Sequence, residues 1–429
     1  MLNTKQILNN PLPFHKKNFE KHGDTFEIST LGDGKLIFSK DPIVVKEVLQ
    51  KKQKSFAKSK LQTKDLAKYI GFGLLTAEGE HWRTHRRMIQ PAFHLKSLKK
   101  LLNIMASSIK NTLSNAIEIG EEKDIFPLMS DLAFQVVAKS LFSSLKVLKP
   151  MADLKEITEK NQTMLIREMR QPYLKWWFKA SGEIKRHIEY ADDARAILNE
   201  VIEERIASVT NEDDLLQMLL DATYEDGSNM SRKQLIDEIL ILFTAGHETT
   251  ANALAFVLYY IAKDSELQDK LYKETKKLKE DTYTMDSFKE LELISSTVQE
   301  AMRMYPPAYI IDRVALEETE IGGFKFKKGA LVLLSLYELH RHQDFWDKPE
   351  TFIGSRFKDF KDKNYTNYYY PFGAGPRMCI GNAFATYEML LVVVEVLKKY
   401  QISTSMDKVV INPMITLRPK EVSLQFNLR

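Results

Sequence analysis

Hydrophobic residues recur every three or four positions along much of the chain, which is the spacing that places them on one face of an α-helix. This pattern predicts long amphipathic helices over residues 99–119, 181–210 and 231–263. Apolar runs of the strand type are short and fall at residues 34–38 and 330–334. The chain is therefore expected to be mainly helical, with small β-sheets.

The third of these helices starts with Ser231 and Gln234 at the spacing of a capping box. It is expected to run for about thirty residues, or ~45 Å at ~1.5 Å per residue. Its middle, residues 245–250, reads AGHETT and is polar where a buried helix is normally apolar. The Thr249 hydroxyl can bond back to the Ala245 carbonyl and open a groove in the helix. From the residues alone, a functional groove and a solvent-facing polar stretch both remain open.

Composition and charge narrow the class of protein. The 429 residues are 44% hydrophobic and 28% charged, which is enough to form a large core. The ~150 residues typical of a domain would suggest about three domains, but one cofactor can organise a whole chain. Sixty-two basic and fifty-eight acidic residues leave a net charge of +4, which is too balanced to favour nucleic acid as a partner. We therefore expect a single domain over residues 1–429.

The apolar runs also bear on the location of the protein. No uncharged run approaches the ~20 residues that a membrane-spanning helix needs. The first six residues lack the apolar core of a signal peptide. The expectation is a cytoplasmic protein with no transmembrane anchor.

Cys379 is the only cysteine of the chain, and it lies in residues 372–381, FGAGPRMCIG. A lone cysteine cannot form an internal disulfide or a multi-cysteine zinc site, so any chemical role is that of a single thiolate. The glycines allow the backbone to approach a flat ligand closely. The helical pattern that follows puts Cys379 near a helix N-terminus, where N–H groups and the helix dipole favour a thiolate. The alternative is a small buried hydrophobe, as most free cysteines are.

Residues 372–381 match F-G-x-G-x-R-x-C-x-G in full, and this segment resembles the haem-binding loop of the cytochromes P-450, the haem-thiolate monooxygenases. The resemblance implies a cytochrome P-450 fold centred on haem b, with Cys379 as the proximal ligand of the iron. Arg377 would bind a haem propionate, and Gly381 would keep the following helix close. The other loop residues expected at the porphyrin are Phe372, Gly373 and Gly375.

The resemblance extends to the central helix, because residues 245–250 match A-G-x-E-T-T, the oxygen-binding part of the family. It implies that Thr249 would hold dioxygen and a water, while Glu248 would relay protons from solvent. Ala245 and Gly246 belong to the same segment. His247 falls at the variable position and is expected to pack or to face the surface.

A second motif lies later in the chain. Glu300 and Arg303 are one helical turn apart, a pair that is common on solvated helices and means little alone. Together with Arg356 they resemble the E-x-x-R helix and the R-F segment of the family, which implies a buried ion network that supports the cysteine loop. The proline and glutamate usual before R-F are replaced here by residues 354–355, Gly-Ser.

Two further positions match residues that bind haem propionates in the family. Trp82 and Arg86 have the W-x-x-x-R spacing, which puts both on one helix face, and Arg313 lies where another propionate-binding arginine is usual. The motifs run from residue 82 to residue 381 in the family's order. The resemblance therefore covers essentially the whole chain.

The resemblance also implies the reaction and its partners. One atom of O2 would enter an organic substrate and the other would leave as water. The chain ends fifty residues after Cys379 without another cysteine for an iron–sulfur cluster, so we expect no fused reductase. Electrons from NAD(P)H would arrive through a separate ferredoxin or flavodoxin with its reductase, and the protein is expected to be a monomer. Basic residues that could receive such a partner, or could simply be solvated, are Arg83, Arg87, Lys96 and Lys99.

The substrate is expected to be lipophilic, such as a fatty acid, a terpenoid or a carotenoid, because the segments that line the pocket in the family are mostly apolar here. These are residues 61–72, residues 164–178 with Trp176 and Trp177, residues 307–311 with Ile310 and Ile311, and residues 414–416 with Met414 and Ile415. Two other classes stay open: a peroxygenase that uses hydrogen peroxide, and a haem sensor without catalysis. The pair Glu248 and Thr249 favours the monooxygenase over both.

Overall fold

The structure is a computed structural model that describes residues 10–29, 35–143, 148–208, 212–278, 283–360 and 363–429. Helices dominate it, as expected. Their bounds are α1 Leu12–His22, α2 Pro42–Lys46, α3 Ala67–Ile70, α4 Gly79–Ile89, α5 Leu95–Ala116, α6 Phe126–Phe142, α7 Leu148–Arg170, α8 Lys175–Ala180, α9 Glu183–Ser208, α10 Leu215–Leu220, α11 Arg232–Lys263, α12 Ser265–Thr275, α13 Glu292–Met304, α14 Leu336–Leu339, α15 Arg356–Asp359 and α16 Asn382–Lys399.

The strands are short and form small sheets. Their bounds are β1 Thr25–Ser29, β2 Lys35–Ser39, β3 Phe56–Ala57, β4 Glu122–Asp124, β5 Ile310–Ala315, β6 Thr319–Ile321, β7 Phe324–Phe326, β8 Leu331–Ser335, β9 Tyr400–Ser403, β10 Ile411–Pro413, β11 Leu417–Pro419 and β12 Ser423–Leu428. The largest sheet has the order β1-β2-β8-β5-β3, in which β2 and β8 are parallel and the other pairs are antiparallel. Smaller sheets pair β10 with β11, β6 with β7, and β12 with both β4 and β9.

The elements predicted from the hydrophobic pattern are confirmed, with shifted ends. The predicted helices are observed as α5, α9 and α11, and the predicted strands as β2 and β8. Residue 34 of the first strand and residues 209–210 of the second helix lie outside the described residues. The ends differ from the predicted ones because hydrogen bonds at each end of an element, and not the hydrophobic pattern, determine where it begins. At α11, for example, the Ser231 side chain accepts a hydrogen bond from the Gln234 N–H, so the predicted cap is confirmed.

The central helix α11 crosses the molecule and packs against α6, α9, α13 and α16. Gly246 sits at its contact with α6, where an added Cβ would lie 3.0 Å from Val137 Cγ2. A glycine therefore lets the two helices approach closely. The largest core cluster contains residues from Tyr69 to Phe426, and a smaller cluster lies between the five-stranded sheet and α2. In the described part of the chain, no helix is both long enough and apolar enough to cross a membrane.

Candidate active site

Cys379 lies in the loop that leads into α16, three residues before the helix begins at Asn382, so the predicted place near a helix N-terminus is confirmed. The Cys379 N–H donates to the Phe372 carbonyl at 2.9 Å, which closes the loop on itself. Neighbouring atoms partly desolvate the thiol and raise the pKa of Cys379, while the Gly381 N–H and the Arg86 charge act in the opposite direction. The residue is nevertheless exposed on one side, where it lines a surface cleft and is open to a ligand.

The three glycines of the cysteine loop differ in whether the backbone or the packing requires a glycine. Gly373 and Gly375 have φ angles of +71° and +68°, a region that side chains disfavour. A Cβ on Gly375 would also lie 2.0 Å from the Leu49 carbonyl oxygen. Gly381 has an ordinary φ of −87°, and a Cβ there would meet no described atom within 4 Å. Packing within the described chain therefore does not require a glycine at this position, and the closeness of Gly381 and the following helix to a haem stays a prediction.

Arg377, on the same loop, joins a buried cluster of cations. Its Nη2 donates to Glu78 Oε2 at 2.5 Å and its Nη1 to the Phe56 carbonyl at 3.1 Å, but its buried Nε finds no partner among the described residues. The guanidinium carbon lies 5.3 Å from the ring centroid of Trp82. The structure therefore brings together Arg377 and Trp82, which were predicted from separate motifs.

Lys58 and Arg313 complete this cationic cluster. Lys58 is buried, and its ammonium donates to the carbonyls of Leu74 and Ala77, both at 2.8 Å. Burial, reinforced by repulsion from Arg377, lowers the pKa of Lys58 to about 7 and that of Arg313 to about 10. The nearby carboxylates, such as that of Glu78, therefore do not compensate the buried positive charges of Lys58 and Arg313.

An added anion would be stabilised at this cluster. The two propionates of a haem are such anions, and the orphaned Nε of Arg377 is a donor for one of them. The residues present therefore fit a haem. Sequence reasoning missed Lys58 because it stands in no motif, and only its burial reveals it.

Arg86 contacts the cysteine loop directly. Its Nη1 donates to the Met378 carbonyl at 2.9 Å, next to the thiol. Trp82 and Arg86 thus turn the same face of α4 toward the loop, as their spacing predicts. A surface cleft of about 540 Å³ adjoins this contact and is lined by Arg86, Gln90, Phe93, His94, Leu95, Lys96, Met378, Cys379, Ile380, Asn382 and Ala383.

The middle of α11 is helical throughout and is partly accessible on one side. The Thr249 hydroxyl donates to the Ala245 carbonyl at 2.8 Å, so the predicted bond back along the helix is confirmed. His247 is buried, and its Nδ1 lies 3.0 Å from the Phe243 carbonyl oxygen. The expectation that His247 packs is confirmed.

Glu248 is held by residues from elsewhere in the chain. The Thr416 hydroxyl donates to Glu248 Oε1 at 2.6 Å and accepts from Asn252 Nδ2 at 2.9 Å. Thr416 follows Met414 and Ile415, so the turn between β10 and β11 reaches the central helix. Sequence reasoning missed Asn252, although its place one turn after Glu248 was a usable signal.

A small cavity of about 20 Å³ lies beside Glu248, enough for a water molecule. Most of its lining is polar. The lining residues are Phe126, Ser130, Glu159, Gln162, His247, Glu248, Ala251 and Arg418. Glu159 is exposed on α7, so the cavity links Glu248 to a surface acid.

The predicted ion network is present and buried. Arg303 donates to Glu300 through Nε at 2.7 Å and through Nη2 at 3.0 Å. Arg356 Nε lies 3.0 Å from both oxygens of Glu300, despite the altered residues before it. A Cβ on Gly354 would lie 2.8 Å from Leu267 Cδ2, so a larger residue there would require Leu267 to move.

The network reaches the cysteine loop through His340. Arg303 Nη1 donates to the His340 carbonyl at 2.7 Å, and the His340 ring accepts from the Tyr370 N–H at 2.9 Å. Burial lowers the pKa of His340 to about 3, which keeps the ring neutral and able to accept. Tyr370 in turn accepts the N–H of Gly373 at 3.0 Å. The ion network thus supports the loop through one histidine.

The predicted pocket residues divide into two groups. Ile311 lies beside the cysteine loop, with its Cδ1 3.5 Å from the Cβ position of Gly373. Ile310 precedes it on β5, and Met414 accepts a hydrogen bond from the Tyr309 hydroxyl at 3.0 Å. Trp176 and Trp177 instead face solvent. The expectation that these tryptophans line the pocket is wrong.

Comparisons with known proteins agree with this geometry. A model of the cytochrome P-450 family matches residues 1–426. Cytochrome P-450 CYP72A613 of Trigonella foenum-graecum is 27% identical over 94% of this chain and 80% of its own length. Cyclooctat-9-en-7-ol 5-monooxygenase of Streptomyces melanosporofaciens is 28% identical over 93% of this chain and 86% of its own length. The crystal structure of a mutant heme domain of cytochrome P-450DA aligns with a TM-score of 0.85 at 23% identity, covering 97% of this chain and 93% of that one.

The fold and the site define a class of mainly helical proteins with one accessible cysteine in a glycine-rich loop beside a cluster of cations. The family comparison then makes the assignment. This chain belongs to the cytochrome P-450 family. It is a haem monooxygenase, and thus an oxidoreductase.

Replacing Lys58 with methionine is expected to speed haem dissociation by roughly tenfold, because the cationic cluster that would hold the propionates loses one buried positive charge. Transfer of haem to excess apomyoglobin measures the rate. Lys60→Met is the matched control, since Lys60 is exposed on the same segment. Equal rates in wild type and Lys58→Met would remove Lys58 from the haem site.

Proposed function

We propose that this monooxygenase inserts one oxygen atom of O2 into a lipophilic organic substrate, with electrons from NAD(P)H delivered by separate redox proteins. The observation that carries the proposal is the acid–alcohol pair on α11. Thr249 lies on the accessible side of the helix, and Glu248 is held by Thr416 beside a water-sized cavity. A peroxygenase or a haem sensor would have no use for this arrangement.

The cofactor of the proposal is haem b, which when bound activates dioxygen and accepts the electrons. Cys379 would be its ligand on the iron. The cationic cluster around Arg377 and the α4 face would hold its propionates, through Trp82, Arg86, Arg313, Arg377 and Lys58. Phe372 and Gly381 would contact the porphyrin from the loop.

Glu248 would pass protons from solvent toward Thr249. The cavity beside Glu248 supports this role, because most of its lining residues are polar, it is large enough for a water molecule and the exposed Glu159 lies at its wall. Thr416 fixes the carboxylate and Asn252 fixes Thr416. The Thr249 hydroxyl, together with the small Ala245 and Gly246, would leave room for dioxygen and a water.

The proposed substrate is a fatty acid, a terpenoid or a carotenoid. Ile310, Ile311, Met414 and Ile415 are partly accessible, and they present mainly apolar surface beside the cysteine loop and α11. One relative acts, by its name, on cyclooctat-9-en-7-ol. A spectral screen for compounds that shift the spin state of the iron would identify the substrate.

The redox partner would be a ferredoxin or a flavodoxin that docks at the cleft beside Cys379. Lys96 lines this cleft, is exposed and suits an acidic partner. Arg83 and Arg87 are paired with Glu80 and Glu225 at the surface, so they contribute less to such a face. The protein would act in the cytoplasm as a monomer and as one domain over residues 1–429.

Thr249→Ala is expected to keep the haem and substrate binding but to lower product formed per NAD(P)H by roughly tenfold, with the electrons appearing as hydrogen peroxide. The reason is that the Thr249 hydroxyl would hold, by hydrogen bonds, the proton that is delivered to the place where dioxygen binds. Product, NAD(P)H and peroxide are measured with a cognate substrate and partner.

Thr163→Ala is the matched control, because the Thr163 hydroxyl makes the same bond back along its helix, to the Glu159 carbonyl at 3.0 Å, on the exposed face of α7. It should leave coupling unchanged. Unchanged coupling in Thr249→Ala would reject the role of Thr249. Full wild-type turnover on hydrogen peroxide alone would favour a peroxygenase. No turnover with either the redox partner and O2 or hydrogen peroxide would favour a haem sensor.

A further inference from the structure

A buried carboxylate near the start of α11 contacts two other parts of the fold. Glu238 is completely buried, and its Oε2 accepts the N–H of Leu74 at 3.0 Å. Its Oε1 accepts from Gln234 Nε2 at 3.0 Å and lies 3.1 Å from Nδ1 of His85 on α4. A carboxylate is tolerated in the core only where such partners replace water. Glu238 therefore joins α11 to α4 and to the loop of residues 71–77, which contains Leu74.

This loop has the shape that the carboxylates of α11 require. A Cβ on Gly73 would lie 2.5 Å from Glu238 Oε2. A Cβ on Gly71 would lie 2.2 Å from Oδ1 of the neighbouring Asp237, which also accepts the Phe72 N–H at 3.0 Å. Two adjacent carboxylates thus hold the loop, and glycine at both positions lets its backbone come this close.

Leu74 connects Glu238 to the cationic cluster. Its N–H donates to Glu238, while its carbonyl accepts from the Lys58 ammonium at 2.8 Å. The other carbonyl that holds Lys58, that of Ala77, belongs to the same loop and also accepts at 2.8 Å. The position of the Lys58 charge is therefore set by a loop that Glu238 holds.

The charge of Glu238 acts in the same direction as its hydrogen bonds. Burial and the repulsion from Arg377 and Arg313 lower the pKa of Lys58 to about 7, whereas the negative charges of Glu78 and Glu238 oppose this shift. Glu78 is itself paired with Arg377. Loss of the Glu238 charge would therefore leave Lys58 less charged as well as less firmly placed.

We propose that Glu238 is a positioning residue for haem, because it holds Lys58, through Leu74, in the cationic cluster that would bind the propionates. A charge-assisted hydrogen bond depends on such placement. The inference rests on the proposed place of the propionates, but not on the reaction proposed for the enzyme. The alternative is that Glu238 only stabilises the fold, in which case its effect on haem would not depend on Lys58.

A double-mutant cycle on the haem-loaded full chain distinguishes these two roles. Glu238→Gln keeps the size of the side chain but removes its charge, and we expect it to speed haem transfer to excess apomyoglobin by roughly fivefold. Lys58→Met alone should speed it by roughly tenfold. The double variant should lose haem no faster than Lys58→Met, because the side chain that Glu238 positions is already gone.

Gly73→Ala disturbs the same contact and leaves every charge in place. Its Cβ would lie 2.5 Å from Glu238 Oε2, so the loop and the carboxylate must separate. It should speed haem loss when Lys58 is present and have no further effect in Lys58→Met. This variant also tests the proposal if Glu238→Gln does not fold.

Glu274→Gln is the matched control for the loss of a buried carboxylate. Glu274 is buried and accepts two backbone N–H groups of another segment, those of Leu293 and Ile294, at 3.0 and 2.7 Å. The control should be less stable to urea than the wild type but should lose haem at the wild-type rate.

Three results would overturn the proposal. The first is a wild-type rate of haem loss in both Glu238→Gln and Gly73→Ala. The second is a rate in the double variant that is the product of the single effects, about fiftyfold. The third is a wild-type rate in Lys58→Met. None of these results decides the reaction, which the coupling of Thr249→Ala tests separately.

Discussion

Cys379→Ser is expected to abolish the long-wavelength absorption band of the reduced carbon monoxide complex, because that band requires a thiolate on the iron. A serine hydroxyl has nearly the size of the thiol, so the loop with its Cys379 N–H bond to Phe372 should persist. No second cysteine exists in the chain to take its place. The band should therefore vanish completely, while far-ultraviolet circular dichroism stays that of the wild type.

The control for this experiment is Met378→Ala. Met378 adjoins the thiol, and its side chain is exposed, while the bond from Arg86 uses its backbone carbonyl. This variant should keep the band. A Cys379→Ser protein that retained it would exclude Cys379 as the ligand and would end the proposed assignment of the site.

Glu300→Ala is expected to lower the free energy of unfolding by ~3–5 kcal/mol, because two buried guanidinium groups lose their shared carboxylate. Arg303 and Arg356 would keep only carbonyl partners. Urea denaturation followed by circular dichroism measures the loss, and the haem content of the purified protein measures its effect at the site. Arg303→Ala and Arg356→Ala should behave similarly, because each leaves Glu300 undercompensated.

The matched comparison is Glu80→Ala, which removes the carboxylate of an exposed pair with Arg83 at the same sequence spacing. Such surface pairs contribute at most about 1 kcal/mol. The variants of the buried network should also contain less haem than the wild type, because Arg303 reaches the cysteine loop through His340 and Tyr370. Wild-type stability and haem content in all three buried variants would show that the network does not support the loop.

The site could be predicted from the sequence wherever its chemistry is local. The cysteine loop needs glycines with positive φ at fixed distances from the thiol, and the bond from Thr249 to Ala245 follows from one turn of helix. The network was predictable in part, because Glu300 and Arg303 are neighbours on α13. Arg356 joins them from fifty-three residues away, and only the match to a known family pointed to it.

The roles of Lys58 and of Thr416 beside Glu248 were not predicted, and they share one physical reason. Lys58 becomes important because the fold buries it near Arg377, and burial together with that repulsion lowers the pKa of its ammonium. Thr416 acts on Glu248 only because the turn after β10 folds back onto α11. Neither residue belongs to a short-range pattern that a sequence could display.

Local periodicity and motif spacing determined the helical class, the central helix and the single thiolate of this protein, because these depend on dihedral preferences and on neighbours within a turn. The tertiary structure alone decided which charges are buried together and which apolar residues face out. Trp176 and Trp177 read as pocket residues in the sequence, yet the burial of Phe178 turns them to solvent. Burial depends on contacts between distant segments, so only the folded chain settles it.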